Sequence, residues 1–314
     1  MRIGTRRSAL ALAQAGLVAD MLGDCQIVPI VTSGDRAGDA PTAGAQGAAR
    51  EGAAAVAPAE DKSRWVDALE DALLAGEIDL AVHSAKDVPG ELAEGLALHA
   101  APARADAADV LCGAGSLEEL REGARVGTSS VRRLAQLRAA RADLQVVAVR
   151  GNVDTRLRKL AAERLDAIVL ARAGLQRLGR ESEAGGVLDT ARFVPAPGQG
   201  VLALEGRADD HSAREAALAI CDGDTFACLL AERALARGLD AGCHTPLGAH
   251  AAPAGEGGLR LRAWVGLPDG SEWIADELLG DASAPEGLGA RAAERLLTVG
   301  AGEMLARARE MAGA

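Results

Sequence analysis

Three successive segments between residues 126 and 177 constrain the fold more than any other feature. Each is an apolar run that ends in polar residues and arginines where a helix is expected to begin: VGTSSVRR, VVAVRGNVDTR and AIVLARAGLQR. Apolar strands that alternate with helices predict a parallel α/β sheet, and ligands bind at the carboxyl ends of its strands. Backbone N–H groups at helix starts, with guanidinium groups beside them, form a receptor for carboxylate or phosphate.

The positive charge of the chain is concentrated in the same region. Between residues 121 and 180 there are fourteen Lys and Arg against five Asp and Glu, whereas the whole chain has a net charge of −11. A general nucleic-acid-binding protein would be expected to carry a basic surface over a whole domain. The sequence therefore predicts that this region binds a small anion and that the protein does not bind nucleic acid.

The sequence also bears on the compartment. No run approaches eighteen uninterrupted apolar residues, so no membrane span is expected. The first twenty residues include the polar Gln14 and Asp20 and lack a clear cleavage site, which is a poor match to a secretory signal. Five cysteines without a CxxC pair favour free thiols in a reducing cytoplasm.

At 314 residues the chain is long enough for two or three α/β units. A short strand is predicted at residues 2–5, with Ser8 as the N-cap of the following helix. A second strand is predicted at 26–32, and a third at 78–82 leads into HSAKDVP. The Ala- and Gly-rich segment 36–59 between them predicts a flexible loop.

The pattern changes after residue 206. Two helical segments are predicted, the second at 224–239, followed by AGCHTPLG and a hairpin that turns at residues 268–270. A helical region ends the chain. This last third is therefore expected to be a separate α+β domain. With only 2% aromatic residues and no tyrosine, the core must consist of leucine, valine and alanine.

An arginine is most often part of a solvated helix face. That interpretation fits Arg138, Arg141, Arg158 and Arg164. A second group lies at or just after predicted strand ends, on one edge of a parallel sheet, and such convergent cations repel unless an anionic ligand with several carboxylates or phosphates joins them. This group is Arg132, Arg133, Arg150, Arg156 and Arg177.

Two of the three lysines, Lys62 and Lys86, are further candidates because lysine is so rare in this chain. Lys86 could instead form a salt bridge with neighbouring acids. Pro89 prevents a helix after the third strand, so the residues of HSAKDVP are expected on a loop at the strand end. Asp87 in this loop is either a turn-capping residue or a carboxylate that faces a developing cation.

Cys243 differs from the other cysteines because it lies in the AGCHTPLG loop, where a thiolate could act as a nucleophile or an attachment point. A zinc site with His244 and His250 is an alternative, although C-H-x5-H lacks the usual spacing of ligand pairs. The remaining cysteines are predicted to be small buried hydrophobic residues: Cys25, Cys112, Cys221 and Cys228.

Seven motifs together resemble a known family. RIGTRRSALALAQA, AVHSAKDVP, GTSSVRR, RGNVDTRL, ARAGLQRLG, PAPGQG and AGCHTPLGA occur in the same order as in porphobilinogen deaminase, also called hydroxymethylbilane synthase. Each motif alone is weak, but seven in order between residues 2 and 249 make the resemblance specific.

The resemblance implies an α/β protein of three domains. The first two would be of the periplasmic-binding-protein type (type II) with a central cleft, and the third a small α+β domain that carries the cofactor cysteine. The implied boundaries are residues 1–102 and 200–218 for a split domain 1, 105–196 for domain 2 and 222–314 for domain 3.

The resemblance also implies a reaction. Four porphobilinogen molecules would be added one at a time to a dipyrromethane primer with loss of ammonia, and water would release the linear tetrapyrrole hydroxymethylbilane. The primer would be bound covalently to Cys243 and kept after turnover. Each pyrrole carries an acetate and a propionate, which clustered arginines can bind. The protein would be a cytoplasmic, monomeric transferase of porphyrin and heme biosynthesis, without a metal.

Residue roles follow from the same resemblance. Asp87 matches the catalytic aspartate, which stabilises a cationic azafulvene formed as ammonia leaves. Lys62 matches the second of two lysines in the family's lid segment, residues 36–65 here, and the first lysine has no counterpart. The implied cofactor-binding residues are Cys243, Ser84, Lys86, Asp87, Thr128, Ser129, Arg132, Arg133 and Arg150; the implied substrate-binding residues are Arg6, Ser8, Lys62, Arg150, Arg156 and Arg177.

Two other functions are compatible with parts of the sequence. A non-enzymatic anion-binding protein could use the same two-domain scaffold, because fold does not decide function. An acyl-transfer enzyme could use Cys243 and His244, but adjacent residues seldom place a nucleophile and its base face to face.

Overall fold

A computed structural model of the protein describes residues 1–31, 63–242 and 244–313. Lys62, Cys243 and the predicted loop at 36–59 lie outside the described residues. In the described part, no helix is both long and apolar enough to cross a membrane.

The first sheet contains five strands in the order β2-β1-β3-β10-β4. Strands β1, β2 and β3 are parallel, whereas β10 runs antiparallel to both β3 and β4. The N-cap prediction for α1 is confirmed, because the Ser8 hydroxyl accepts a hydrogen bond from the Ala11 N–H. The strands are β1 (Arg2–Arg6), β2 (Gln26–Ile30), β3 (Leu80–Ser84), β4 (Leu96–Ala100) and β10 (Leu202–Arg207), and the helices are α1 (Ala9–Leu22), α2 (Ser63–Leu74) and α6 (His211–Ala219).

The second sheet repeats this pattern with the order β7-β6-β8-β5-β9. Strands β6, β7 and β8 are parallel, and β5 is antiparallel to β8 and β9. Each of the three arginine-rich turns of the sequence connects one of these parallel strands to a helix. The strands are β5 (Asp109–Cys112), β6 (Arg125–Gly127), β7 (Gln145–Val147), β8 (Ala167–Ala171) and β9 (Gly186–Leu188), and the helices are α3 (Val131–Ala140), α4 (Val153–Ala162) and α5 (Arg172–Arg177).

The two sheets therefore share one topology. In each sheet, three parallel strands lie next to one antiparallel strand. That strand is β10 in the first sheet and β5 in the second, and the chain forms each of them just after it crosses from the other sheet. The chain crosses twice, between β4 and β5 and between β9 and β10. This arrangement confirms the predicted α/β class with two periplasmic-binding-protein-like halves.

A third, antiparallel sheet has the order β11-β12-β13. The predicted hairpin is confirmed, since β12 pairs with β13 around the turn at 268–270. Helix residues such as Leu235 and Leu288 share one core with sheet residues such as Leu261. The elements are α7 (Gly223–Gly238), β11 (Leu247–Pro253), β12 (Gly258–Gly266), β13 (Trp273–Asp281), α8 (Pro285–Thr298) and α9 (Ala301–Gly313).

The core is aliphatic, as the composition predicts: the largest fully buried side chains are all leucine or isoleucine. Two expectations were wrong. Cys25 and Cys221 are half-buried at the edge of the first core rather than inside it. His83 and Ser84 belong to β3 rather than to a loop, because they pair in register with Ala203 and Leu202 of β10, and His83 is buried.

Candidate active site

The candidate site lies where the carboxyl ends of the parallel strands of the two sheets face each other. The Leu10 side chain at the start of α1 packs over Gly174 in α5. The Arg177 guanidinium donates to the carbonyl of Gly200, beside β10, at 2.6 Å. Burial and, to a smaller extent, the Arg133 charge lower the pKa of Arg156 to about 10, and the Asp87 carboxylate opposes this shift. Residues from both sheets therefore meet at one cleft, and the carboxyl ends of parallel strands are where ligands bind in such sheets.

On the side of the first sheet, the strand ends are tied together by hydrogen bonds. The Gln14 amide of α1 donates to the Ser84 hydroxyl at 2.8 Å. After Ser84 the chain forms a 3-10 turn over Ala85–Asp87, and the Ala85 N–H donates to the Val201 carbonyl at 3.0 Å. The start of the turn that carries Lys86 and Asp87 is therefore tied to α1 and to Val201, the residue before β10.

On the side of the second sheet, polar side chains fix the first turns of the helices. Ser130 caps α3 and Asn152 caps α4. The Ser129 hydroxyl donates to the Val149 carbonyl at 2.8 Å, which joins the turns that follow β6 and β7. The Thr128 hydroxyl accepts from the Ser130 N–H at 3.2 Å. Thr128 and Ser129 thus lie at helix starts, where an anion is stabilised.

Arg132 and Arg133 are not solvated, since their exposed fractions are only 4% and 7%. Both bind one buried carboxylate, Asp109 of β5: Arg132 Nη2 lies 2.8 Å from one oxygen and Arg133 Nη2 lies 2.7 Å from the other. Gln199 donates to the same carboxylate at 2.8 Å. The structure thus supplies a protein counter-charge where the sequence led us to expect only a ligand.

The Asp109 carboxylate stays ionised despite its burial. Burial alone would raise the pKa of Asp109, but the charges of Arg132 and Arg133 and their hydrogen bonds outweigh it and hold this pKa far below its usual range. In each arginine, Nε is buried and has no hydrogen-bond partner within the described residues. Each guanidinium therefore keeps one buried donor that is unpaired in the described structure.

Arg156 and Arg177 differ from that pair because they have no carboxylate within 4.0 Å in the part of the chain that the structure describes. Each is half-buried and binds a backbone carbonyl, Arg156 that of Gly151 at 2.7 Å and Arg177 that of Gly200. Burial lowers the pKa of each to about 10. Two partly buried cations with no carboxylate at ion-pair distance in the described structure match a ligand that brings its own carboxylates. Arg150 is exposed at the end of the β7 turn.

The PAPGQG loop packs directly against the Asp87 turn. Gly198 has a φ of +71°, and a Cβ placed on it would lie 2.9 Å from both the Ala85 carbonyl carbon and the Lys86 nitrogen. No side chain fits there, and the left-handed backbone also favours glycine. Its N–H donates to Glu232 of α7 at 2.6 Å. The loop is thus held between α7 and the turn that carries Asp87.

Gly198→Ala is expected to move the Asp87 turn. The left-handed backbone costs roughly 1–2 kcal/mol for any other residue, and the contact with Lys86 adds a displacement. We expect a lower melting temperature and a lower kcat. Gly255→Ala is the matched control, since Gly255 has a φ of +72° but nothing within 4 Å of the added Cβ. Equal kcat in the two variants would show that the contact with the turn has no effect on catalysis.

Of the buried acids that the sequence did not reveal, Asp109 and Glu232 bind residues of this site. Asp109 is the first residue of the apolar strand DVLC, and an acid in such a strand is the feature of the sequence that could have indicated its burial. Glu232 of α7 is 0% exposed and accepts from Arg104 at 2.6 Å, from Gly198 and from the Ala251 N–H at 2.7 Å. It joins both crossover segments to the third domain, and nothing in the sequence marks it.

The loop around residue 243 is closed by two hydrogen bonds between Gly242 and Thr245. The Gly242 N–H donates to the Thr245 hydroxyl at 2.9 Å, and the Thr245 N–H donates to the Gly242 carbonyl at 3.0 Å. Beside this loop lies an open groove of about 540 Å³ that His244 and Arg237 help to line. Among the described residues, no three His, Cys, Asp or Glu side chains are grouped as a metal site requires.

Comparisons with known proteins agree with the motifs. Residues 1–215 match the family described as "Porphobilinogen deaminase, dipyromethane cofactor binding domain", and residues 226–298 match "Porphobilinogen deaminase, C-terminal domain". Similar curated proteins are named porphobilinogen deaminase. They include those of Deinococcus deserti (45% identical, covering 98% of this chain and 98% of the relative), Deinococcus radiodurans (44%, 98% and 98%) and Trichlorobacter lovleyi (42%, 96% and 94%).

Among solved structures, a periplasmic substrate-binding protein of an ABC transporter from Coxiella burnetii is 12% identical, with a TM-score of 0.39, over 70% of this chain and 91% of that chain. The assignment of the fold rests on the sheet order itself. The relatives extend over nearly the whole chain at more than 40% identity, and two family domains match in order. The chain therefore belongs to the porphobilinogen deaminase family.

Proposed function

We propose that this chain is hydroxymethylbilane synthase, a deaminating transferase. It joins four porphobilinogen molecules head to tail with loss of one ammonia each, and one water releases hydroxymethylbilane. The observation that carries the proposal is a pair of partly buried arginines, Arg156 and Arg177, which have no carboxylate within 4.0 Å among the described residues and lie across the cleft from Asp87. Such a cleft is suited to a ligand that carries carboxylates and develops positive charge at its reacting centre.

The cofactor of this family is dipyrromethane, and we assign its thioether attachment to Cys243. When bound, it supplies the pyrrole carbon to which the next unit is joined. The buried Nε donors of Arg132 and Arg133, which have no partner in the described structure, fit its carboxylates. Thr128 and Ser129 lie just before the start of α3, and their hydroxyl and N–H groups are on the same side of the cleft as these arginines. We further assign Ser84, Lys86, Asp87 and Arg150 to this group of cofactor-binding residues.

Asp87 is the proposed catalytic residue. Its turn is fixed at the end of β3 by the Ala85 N–H and by the packing of Gly198. A fixed carboxylate can stabilise the positive charge that develops on the substrate pyrrole as ammonia leaves, and it can hold the proton of the pyrrole N–H. Fixed positioning matters because the carboxylate then needs no reorganisation when the charge appears.

The remaining polar residues of the cleft are assigned to the substrate. Arg156 and Arg177 bind acetate and propionate groups, which neutralise the cations. We also assign four other residues to substrate binding: Arg6 at the end of β1, Ser8 at the start of α1, Arg150 after β7, and Lys62. Since each added pyrrole brings two more carboxylates, the need for these cations grows with chain length.

Arg156→Leu tests this role. Loss of a charge-assisted hydrogen bond in a desolvated site costs about 1.5–3 kcal/mol, which corresponds to roughly a 10- to 100-fold rise in KM for porphobilinogen. The matched control is Arg158→Leu, two residues further along α4, because Arg158 is exposed and bonds only the Thr155 hydroxyl in the described structure. Steady-state ammonia release measures KM for porphobilinogen in both variants. A normal KM in Arg156→Leu would remove this residue from substrate binding.

Several broader features belong to the same proposal. We assign residues 1–102 and 200–218 to domain 1, 105–196 to domain 2 and 222–314 to domain 3, and we expect a monomer in the cytoplasm. The sheets support these boundaries, since each sheet draws its strands from one of the three sets.

The direct test of the function uses the purified full chain and porphobilinogen. We expect release of one ammonia for each porphobilinogen consumed, and one linear tetrapyrrole for every four. Reversible binding of porphobilinogen without release of ammonia would contradict the proposal and would favour an anion-binding protein on the same scaffold.

A further inference from the structure

Arg233 of α7 is a buried cation that the site described so far does not use. Its exposed fraction is 7%, and within the described residues it has no carboxylate at 4.0 Å or closer. Burial and, to a smaller extent, the charge of Arg237 lower the pKa of Arg233 to about 10, and the charges of Glu205 and Glu91 oppose this shift. A guanidinium that is desolvated without a close counter-ion destabilises a fold unless its donors bind well-placed acceptors. The acceptors of Arg233 are therefore informative.

The acceptors belong to the loop that follows Asp87. Arg233 Nη2 donates to the Gly90 carbonyl at 2.9 Å, and Nη1 lies 3.5 Å from the Val88 carbonyl. These carbonyls flank Pro89, which has no N–H of its own to secure the backbone. The Val88 N–H closes the 3-10 turn on the Ala85 carbonyl at 3.2 Å. A planar guanidinium that reaches both carbonyls thus fixes the chain just past the turn.

The neighbouring residue in α7 supports the same turn from its other side. Glu232 accepts from the Gly198 N–H at 2.6 Å, and Gly198 packs on the Ala85–Lys86 peptide. Consecutive residues of one helix in the third domain therefore reach both flanks of the turn that carries Asp87. Each contact is with the backbone, so it sets the position of the turn whatever the side chains nearby.

Other charged groups of the first domain are buried as well. Glu205 of β10 is 2.8 Å from His83 Nε2 in β3, and both side chains are almost fully buried. Burial raises the pKa of Glu70 in α2. The charge of Glu205 raises this pKa further, and the charge of His83 lowers it. The negative charge of Glu205 acts on the Arg233 cation and favours its charged form.

We propose that Arg233 is a positioning residue, which fixes the Asp87 turn from the third domain through the carbonyls of Val88 and Gly90. The inference rests on the proposed catalytic role of Asp87. On the proposed function the third domain also carries Cys243, so Arg233 joins the body that holds the primer to the turn that holds the catalytic carboxylate. Its loss should misplace Asp87 without removing any group that binds substrate.

The test compares Arg233→Met, Arg233→Lys and a control in the purified full chain. For Arg233→Met we expect kcat for ammonia release to fall about 10- to 100-fold, the effect of a misplacement near 1 Å, with KM changed less than about twofold. Lysine keeps the charge but cannot span two carbonyls, so kcat of Arg233→Lys should lie between those of Arg233→Met and the wild type. Leu235→Ala, two residues along α7 in the core of the third domain, should lower the melting temperature and leave kcat per folded molecule unchanged.

The outcomes separate this inference from the function on which it rests. Wild-type kcat per folded molecule in both arginine variants would overturn the inference, even if their melting temperatures fall. If Arg233→Met does not fold, the test rests on Arg233→Lys. Faster hydrogen exchange of the backbone amides in residues 85–90, together with a lower kcat, would support the inference. Hydrogen exchange and kcat equal to those of the wild type would overturn it. Near-normal activity of Asp87→Ala, measured in parallel, would instead overturn the proposed role of Asp87.

Discussion

Asp87→Asn is expected to lower kcat for ammonia release about 10²- to 10⁴-fold, the range for loss of a positioned acid–base group. Asparagine keeps the shape of the side chain and its ability to accept hydrogen bonds, but it carries no negative charge. The developing cation on the substrate pyrrole would then lose its counter-charge in a cleft that already contains Arg133 and Arg156. Steady-state ammonia release from porphobilinogen measures the effect.

The primer should remain attached in Asp87→Asn, so intact mass should show the same adduct as in the wild type. Glu94→Gln is a suitable control, because Glu94 is an exposed carboxylate further along the loop that follows the turn. We expect this control to have wild-type kcat. Near-normal turnover in Asp87→Asn would exclude Asp87 as the catalytic carboxylate.

The second large effect concerns stability. Asp109→Asn would leave the buried guanidinium groups of Arg132 and Arg133 without their shared counter-charge. Removal of one partner from a buried ion pair costs about 3–5 kcal/mol, so the free energy of unfolding should fall by that amount at pH 7. Chemical denaturation measures it. Asp143→Asn is the control, because Asp143 pairs with Arg141 at the surface, and its change in stability should be too small to resolve.

The same network predicts a dependence on pH. The pKa of Asp109 in the folded state lies far below its value in the unfolded state. The contribution of Asp109 to the stability of the fold is therefore complete above the unfolded-state pKa, and it is lost as the pH falls towards the folded-state pKa. The difference in stability between wild type and Asp109→Asn should therefore be constant from pH 7 to about pH 5, and it should shrink below about pH 4, where an unfolded carboxyl begins to bind a proton. A difference that grows on acidification would contradict this account.

The features that the sequence predicted correctly are those set by local interactions. Ser8 caps α1 because a hydroxyl at that position can accept a nearby N–H. The hairpin turns at 268–270 because Pro-Asp-Gly favours a turn between alternating strands. The three arginine-rich turns begin helices because strand and helix periodicity change at these points.

The features that the sequence did not reveal depend on contacts between distant residues. Arg132 and Arg158 are both helical arginines in the sequence, yet one is buried on Asp109 and the other is exposed. The difference arises because β5 enters the second sheet from the other domain and brings Asp109 beneath α3. The role of Glu232 cannot be predicted from the sequence for the same reason, since its partners Arg104 and Gly198 come from two separate crossover segments.

The position of β3 was misjudged by two residues at each end for a similar reason. The apolar run predicted a strand at 78–82, but pairing with β10 extends the strand through His83 to Ser84. β10 comes more than a hundred residues later in the chain, so local patterns contain no information about this pairing. The error matters for function, because His83 was expected on a loop at the strand end, whereas it is buried within β3.

The central claim is that this chain builds a covalent pyrrole primer on Cys243 and extends it. Intact-mass spectrometry of the purified, active protein tests this most directly, with Cys243→Ser as the matched variant. We predict that the wild type exceeds the mass of the bare chain by two linked pyrrole units, and that Cys243→Ser has the bare mass and releases no ammonia. A bare-chain mass in wild-type protein that turns over porphobilinogen would contradict the account.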